Sequence, residues 1–456
     1  MIKKMLLLFT AIGSAILITA CGDTDKKELL RDLDPETRSY IKNVAMQDEL
    51  LEGELENKTI KWLATWDINP DDTGKNVPVD LAVFQERYGG EVRYYPVAYD
   101  ERYEKLAQYI NSGEEIDFFS GSDMDAFPKG AIKEMFVPVD DYIDFDSELW
   151  KDVKEVNDSF EWNDKHYLTA VNINGEGCAV IYNKNTIAQL GFEDPSELLE
   201  KGEWNWNTFE KMLDAFVDND NQKYGIDGWW FEEALVQTTG IPAISLENGK
   251  LVNNLADSSI ERAENWLYKQ SVNGNIAIGR KDYGWTEHPE YIGEGKLLFY
   301  PCGLWRLYMT PDKWLPVFGE DMGFVPMPKD PESDKYYIPA GMDSYLFVKN
   351  GGNPEGTAKY LDCKRYVLLN QDLRNISDNQ TKKDFGWSDE MIDMKNKMTD
   401  MALENPGFDF SEGASADVGE IVDSGLKKAA YGTPWSETFE SIYQPVQSLI
   451  DEINEK

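Results

Sequence analysis

The sequence predicts an α/β protein in which one architecture is laid down twice. Three observations predict it. Residues 59–119 alternate short apolar strands with amphipathic helices. Residues from 179 onward repeat that style with well-marked helix starts. No fixed-period repeat runs through the chain, which excludes a solenoid.

The first half supports the prediction element by element. Thr59–Trp66 is a strand-like run that ends at Asp67 in a polar loop. Val77, Leu81, Phe84 and Tyr88 then fall on one helix face, and Gly89-Gly90 stops it. Val92–Val97 is the next strand, and Tyr103, Leu106, Ala107 and Ile110 mark a second helix face. Ile116–Phe119 is a third strand, followed by the polar run from Ser120 to Phe127. Strands separated by helices pair in parallel and carry the helices on their faces. Ligands then sit beyond the carboxyl ends of the strands, where Trp66, Asp67 and the Ser120–Phe127 loop lie.

In the second half Ala179–Tyr182 is a strand ending in Asn183. Asn207 with Glu210 and Ser258 with Glu261 have capping-box spacing. Asn353-Pro354-Glu355 places a cap before Pro at the first helical position. Val446, Leu449, Ile450 and Ile453 form the last helical stripe.

The chain has 456 residues, room for two or three lobes. Its 45 Lys+Arg against 84 Asp+Glu give a net charge of −39, a surface that repels phosphate backbones and anionic lipid. No nucleic-acid partner is therefore expected. Aromatic residues make up 12% of the chain, including 14 Trp, too many for a disordered acidic polymer. The two histidines, His166 and His288, lie far apart and lack a partner at metal spacing, so no zinc site is expected. Asp218–Gln222 begins like a calcium loop, but Lys223 and Trp229 stand where the EF-hand pattern has Gly and Glu, so it reads as a turn. Cys178, Cys302 and Cys363 form no C-x-x-C and are expected to be buried free thiols. Phosphate-binding, dinucleotide-binding and nucleophile-elbow motifs are absent from the sequence, and no cofactor is expected.

The amino terminus reads as an address. Lys3 and Lys4 precede the apolar run Leu6–Ile18, the order of a signal peptide. The run is shorter than the ~20 residues of a transmembrane helix. Ile18-Thr19-Ala20-Cys21-Gly22 resembles the bacterial lipobox, which implies cleavage before Cys21 and a lipid on its sulfur. Residues 1–20 are then a signal peptide and 21–57 an acidic tether, with Pro35 interrupting any helical turn at Leu29, Leu30 and Leu33.

Six landmarks follow one another along the chain: Glu161–Leu168, Val180–Lys184, Trp206–Glu210, Gly293–Lys296 with Cys302–Trp305, Gly323–Pro328, and Asn353–Glu355 with Ala358. In this order they resemble the family 1 extracellular solute-binding proteins of ABC importers, the maltodextrin-binding type. The resemblance implies a class II, two-lobe periplasmic-binding-protein-like fold, each lobe a mostly parallel sheet with helices on both faces, closing on a ligand at a hinge. It places one lobe at 58–170 and 296–345 and the other at 171–295 and 346–456. It implies a non-catalytic, lipid-anchored, monomeric receptor on the outer side of a bacterial membrane, with permease subunits as partners.

A neutral sugar offers an apolar C–H face that stacks on an aromatic ring, and hydroxyls that donate and accept. The candidates at loop ends are Trp66, Asp67, Asp123, Trp230 within Trp229-Trp230-Phe231, Trp305, Arg306 and Trp435. The resemblance adds Glu176 as a hinge-adjacent carboxylate. A peptide or polyamine receptor is the alternative, since the acidic chain could supply carboxylates to a cationic solute. Arg306 beside Trp305 speaks against that. A secreted carbohydrate-active enzyme would need a carboxylate pair at set separation, which 84 acidic residues leave open.

Overall fold

The computed structural model describes residues 34–47, 49–70, 78–277, 289–309, 314 and 321–455. The leader, the lipobox with Cys21, and His288 lie outside them.

Fourteen strands are present among these residues: β1 Thr59–Ala64, β2 Glu91–Pro96, β3 Phe118–Ser120, β4 Phe136–Val137, β5 Leu168–Asn174, β6 Ala179–Asn183, β7 Tyr224–Ile226, β8 Ile244–Glu247, β9 Lys250–Asn253, β10 Leu297–Cys302, β11 Met322–Pro326, β12 Ile338–Pro339, β13 Gly341–Val348 and β14 Pro406–Gly407. One sheet has the order β2-β1-β3-β13-β4, with β5 also paired to β13. The other has the order β11-β6-β10-β7. The expected α/β, two-sheet architecture is therefore present, but the sheets are mixed rather than mostly parallel. Within these two sheets only β1–β2, β1–β3 and β10–β7 pair in parallel. β13 runs against β3, β4 and β5, and β6 runs against β10 and β11. A strand that returns from the other lobe arrives pointing the opposite way.

The pairing also redraws the expected lobe boundaries. β10 and β11 fall within 296–345, yet both belong to the second sheet. The helix Pro354–Leu369 was expected in the second lobe. It packs on the helix Val79–Tyr88, and its Tyr360, Leu361 and Tyr366 share a core with Trp62 and Phe84 of the first. Buried Arg365 fixes it there by donating to the carbonyls of Leu149 at 2.8 Å and Val171 at 2.6 Å and to the Asp152 carboxylate.

The expected tether is structured from residue 34 on. Pro35–Gln47 is a helix with Ile41 and Ala45 fully buried. Pro35 is the first residue of this helix, where the N–H groups of the opening turn are unpaired in any case; Leu29, Leu30 and Leu33, the turn it is expected to interrupt, lie outside the described residues. Asp34 accepts from the backbone N–H groups of Glu36 and Thr37 at 3.0 and 2.9 Å, satisfying two of them.

Cys178, Cys302 and Cys363 are buried and free. Asn353 caps its helix as expected, accepting from the Gly356 N–H at 2.9 Å. Asp218 accepts from Asn221 N–H and closes the turn 219–221. Two other caps sit one or two residues earlier than the spacing predicts, at Asn205 and Asp257.

Candidate functional site

β7 and β10 are parallel, so their carboxyl ends open on the same edge of the second sheet. Gly228 follows β7 and lies so close to the Pro301 carbonyl that a Cβ there would overlap it. The next residue, Trp229, donates its N–H to that carbonyl at 2.8 Å. This pins the segment after β7 against the end of β10, and three indoles come together there. Trp229 and Trp230 meet edge-to-face at 5.3 Å between ring centroids, Trp230 and Trp305 stand 5.9 Å apart, and Trp229 and Trp305 6.4 Å. The Arg306 guanidinium lies 4.6 Å from the Trp229 ring and 5.0 Å from the Trp305 ring, within cation–π range. Trp230 holds a left-handed backbone, φ 62°, uncommon for a bulky residue, and keeps 40% of its surface exposed. Phe231 beside it is core.

At Gly303 a Cβ would collide with the Trp305 ring, so the missing side chain is what lets that indole fold back. Leu304 donates its N–H to the Glu176 carbonyl at 3.0 Å, which joins the hinge residue to the same segment. Burial pushes the Glu176 carboxyl up, against the opposing pull of Lys395 and of a hydrogen bond to Tyr308. The structure thus gathers Glu176, Trp230, Trp305 and Arg306, and adds Trp229.

Acid groups flank Trp229 and Trp230 along the chain. Asp227 is pushed up to about 8 by burial, with one oxygen accepting from the Gly228 N–H at 3.0 Å. Glu232 is pushed up to about 7, again by burial. Glu233 is raised by burial and then by Asp409, Asp423 and Glu412.

The first-lobe candidates divide between two places. Trp66 is 45% exposed and meets Trp62 edge-on at 5.5 Å. Asp67 accepts from the Asn69 N–H at 2.9 Å and lines a cavity of about 760 Å³. That cavity is walled by Asn172 of β5 and Asp343 of β13, by Lys364, and by Gln380 and Phe385 of the helix Gln371–Phe385. Its volume is in the range of small-molecule sites. Phe385 also meets Tyr308, three residues beyond Trp305, at 5.1 Å.

Asp123 lies elsewhere, in a recess with Arg102, Asp125 and Glu412. Arg102 pairs with Asp125, and its guanidinium sits 3.5 Å from the Tyr99 ring. About half of the Asp123 side chain stays accessible. The crowded recess nonetheless pushes its carboxyl up to about 6, mainly by desolvation and then by the Asp125 charge, with Arg102 pulling the other way. Here the lobes touch. Lys129 donates to the Glu412 carbonyl at 3.0 Å, and Gly413 packs against the backbone of Met124 and Phe127.

Trp435 does not join the site. It is the first residue of the helix Trp435–Asn454, only 4% exposed, and packs with Phe439 in the core. Pro434 turns the chain into that helix, so its first side chain points inward rather than into a loop.

This two-sheet, hinged architecture with an aromatic edge defines a class of ligand-binding protein. Residues 81–370 match the profile of the bacterial extracellular solute-binding protein family, and the chain belongs to that family. Among solved structures it is similar to an ABC substrate-binding protein from Listeria monocytogenes in complex with cycloalternan (15% identity, 88% of this chain and 98% of that one covered, TM-score 0.60). It is also similar to the cyclic α-maltosyl-1,6-maltose binding protein of Arthrobacter globiformis (12%, 88% and 100%, TM-score 0.63). A third is an extracellular solute-binding protein from Staphylococcus aureus in complex with maltose (12%, 88% and 99%, TM-score 0.60). No curated protein matches the sequence significantly. Among the described residues no helix is long and apolar enough to cross a membrane.

Proposed function

We propose that this chain is the receptor of an ABC importer, that its ligand is a sugar or oligosaccharide, and that it acts by binding and delivery rather than catalysis. The observation that carries the reading is the cluster of Trp229, Trp230 and Trp305 at one sheet edge, with Arg306 against it. Indole faces suit the apolar faces of pyranose rings, and polar groups beside them suit the hydroxyls. Saccharides bound by the similar structures support the same reading. Hinge closure between the lobes traps the ligand. The lipobox-like segment at Cys21 supports a chain tethered by lipid on the outer face of the cell membrane, beside its permease.

A second reading, a cationic solute such as a polyamine, is favoured by one feature: Asp123, Glu233 and Glu412 have carboxyls raised by burial first and by neighbouring acids after it. One thermal-shift screen over gluco- and galacto-oligosaccharides, polyamines and peptides separates the two. A ligand at ~100 times its Kd stabilises by about 2.7 kcal/mol. Stabilisation by saccharides alone supports the proposal; stabilisation by polyamines or peptides with every saccharide silent overturns it.

A further inference from the structure

His166 was set aside in the sequence for want of a second histidine. The fold supplies carboxylates instead. Asp158 ends the helix Lys154–Asp158, Glu161 and His166 face each other across a single antiparallel bridge, and His166 leads into β5. The ligating atoms of Asp158, Glu161 and His166 lie within 4.8 Å of one another.

The two ring nitrogens have different surroundings. Nδ1 is 2.7 Å from Asp140, and the other Asp140 oxygen accepts the His166 backbone N–H at 3.3 Å. A carboxylate only accepts, so Nδ1 carries the proton and Asp140 fixes the ring. Nε2 then faces Asp158 at 3.3 Å and Glu161 at 3.4 Å. Both distances are long for charge-assisted hydrogen bonds, which run about 2.7–2.9 Å. They match the edge of a tetrahedron instead: ligands about 2.0–2.2 Å from a zinc ion stand about 3.3–3.6 Å apart. Two oxygens at one edge length from the same nitrogen, with a carboxylate on the opposite ring nitrogen, is the carboxylate–histidine–metal arrangement. Lys154, 3.0 Å from Asp158, is the one other cation the structure places on that carboxylate among the described residues.

We propose that Asp158, Glu161 and His166 form a site for one divalent transition metal of the zinc class, with Asp140 as the positioning residue and a fourth position open to water. The metal ties the helix Lys154–Asp158 to the hairpin that feeds β5, a strand of the hinge, and so fixes the first lobe where closure begins.

The test titrates Zn²⁺, and separately Co²⁺, into the chain from Cys21 onward after chelator treatment. The expected result is one equivalent bound, with the visible absorption of four-coordinate Co²⁺. His166→Ala and Glu161→Gln each abolish this equivalent, Asp140→Asn weakens it about 10- to 100-fold, and His288→Ala leaves it in place. Glu161→Gln and Asp158→Asn keep the test decisive if the histidine variant fails to fold. Absence of a stoichiometric equivalent, or binding unchanged in Glu161→Gln and His166→Ala, overturns the proposal.

Discussion

Gly413 of the second lobe rests against the main chain of Phe127 in the first, where even a methyl group would stand inside van der Waals contact and only 2.6 Å from the Met124 carbonyl oxygen. The loop carrying Met124 and Phe127 follows β3, at the carboxyl edge of the first sheet, so this contact joins the two lobes beside that edge. Gly413→Ala should hold them apart. Ligand affinity should fall at least about tenfold, which is 1.4 kcal/mol. Scattering should show a smaller ligand-induced decrease in radius of gyration than in the parent. Unchanged affinity and unchanged closure would remove this contact from the closing motion.

Trp305 is half-buried and its ring meets two other indoles, so truncation takes area from the platform and little from the core. Trp305→Ala should cost roughly 2–4 kcal/mol of binding, as at an interface hot spot, or about 30- to 1,000-fold in Kd. The melting temperature of the ligand-free protein should stay close to the parent's. Calorimetric titration beside a melting curve checks both. A core role would instead lower the melt by the equivalent of about 3–5 kcal/mol.

Asp227 gives stability a definite dependence on pH. Burial raises its carboxyl from 3.8 to about 8 in the folded chain. The folded state therefore binds its proton more tightly than the unfolded one. The cost is absent below pH 3.8, grows as pH rises, and is complete above about 8. Asp227→Asn keeps an oxygen for the Gly228 N–H and removes the charge. It should raise the melting temperature by several degrees at pH 8.5 and change it little at pH 4. Equal effects at both pH values would refute the burial argument.

Cys21→Ser tests the tether. The variant should accumulate with its leader uncut or appear in the medium, as read by fractionation and mass spectrometry of the intact chain. Retention in the membrane at the parent's mass would rule out the lipid.

What the sequence made legible was local. The apolar runs at β1, β3 and β6 and the Asn353 cap are fixed by neighbours along the chain, and they stand where patterning puts them. What it hid was settled at a distance. β10 and β11 are as apolar as any first-sheet strand, and only their pairing with β6 and β7 reveals their lobe. Pro35 heads a helix whose Ile41 and Ala45 are buried, a burial that the local pattern leaves unmarked. Trp305 and Trp435 both follow glycine-containing loops. One lies open beside two indoles and the other is sealed against Phe439, a difference that no spacing encodes. Asp158, Glu161 and His166 were each visible, but their convergence is a property of the turn that joins them.

The indole cluster also makes the protein its own optical probe. Trp62, Trp150, Trp204 and Trp314 are sealed from solvent, and their emission should report only on the packed interior. Trp230, exposed to water and in ring contact with Trp229 and Trp305, emits from the sheet edge proposed to take the solute, and Trp66 is the other exposed indole among the described residues. Displacement of water by a ligand should shift the emission of these exposed indoles against the constant background of the sealed four. Binding can then be followed in unlabelled protein by light excited at the red edge of tryptophan absorption.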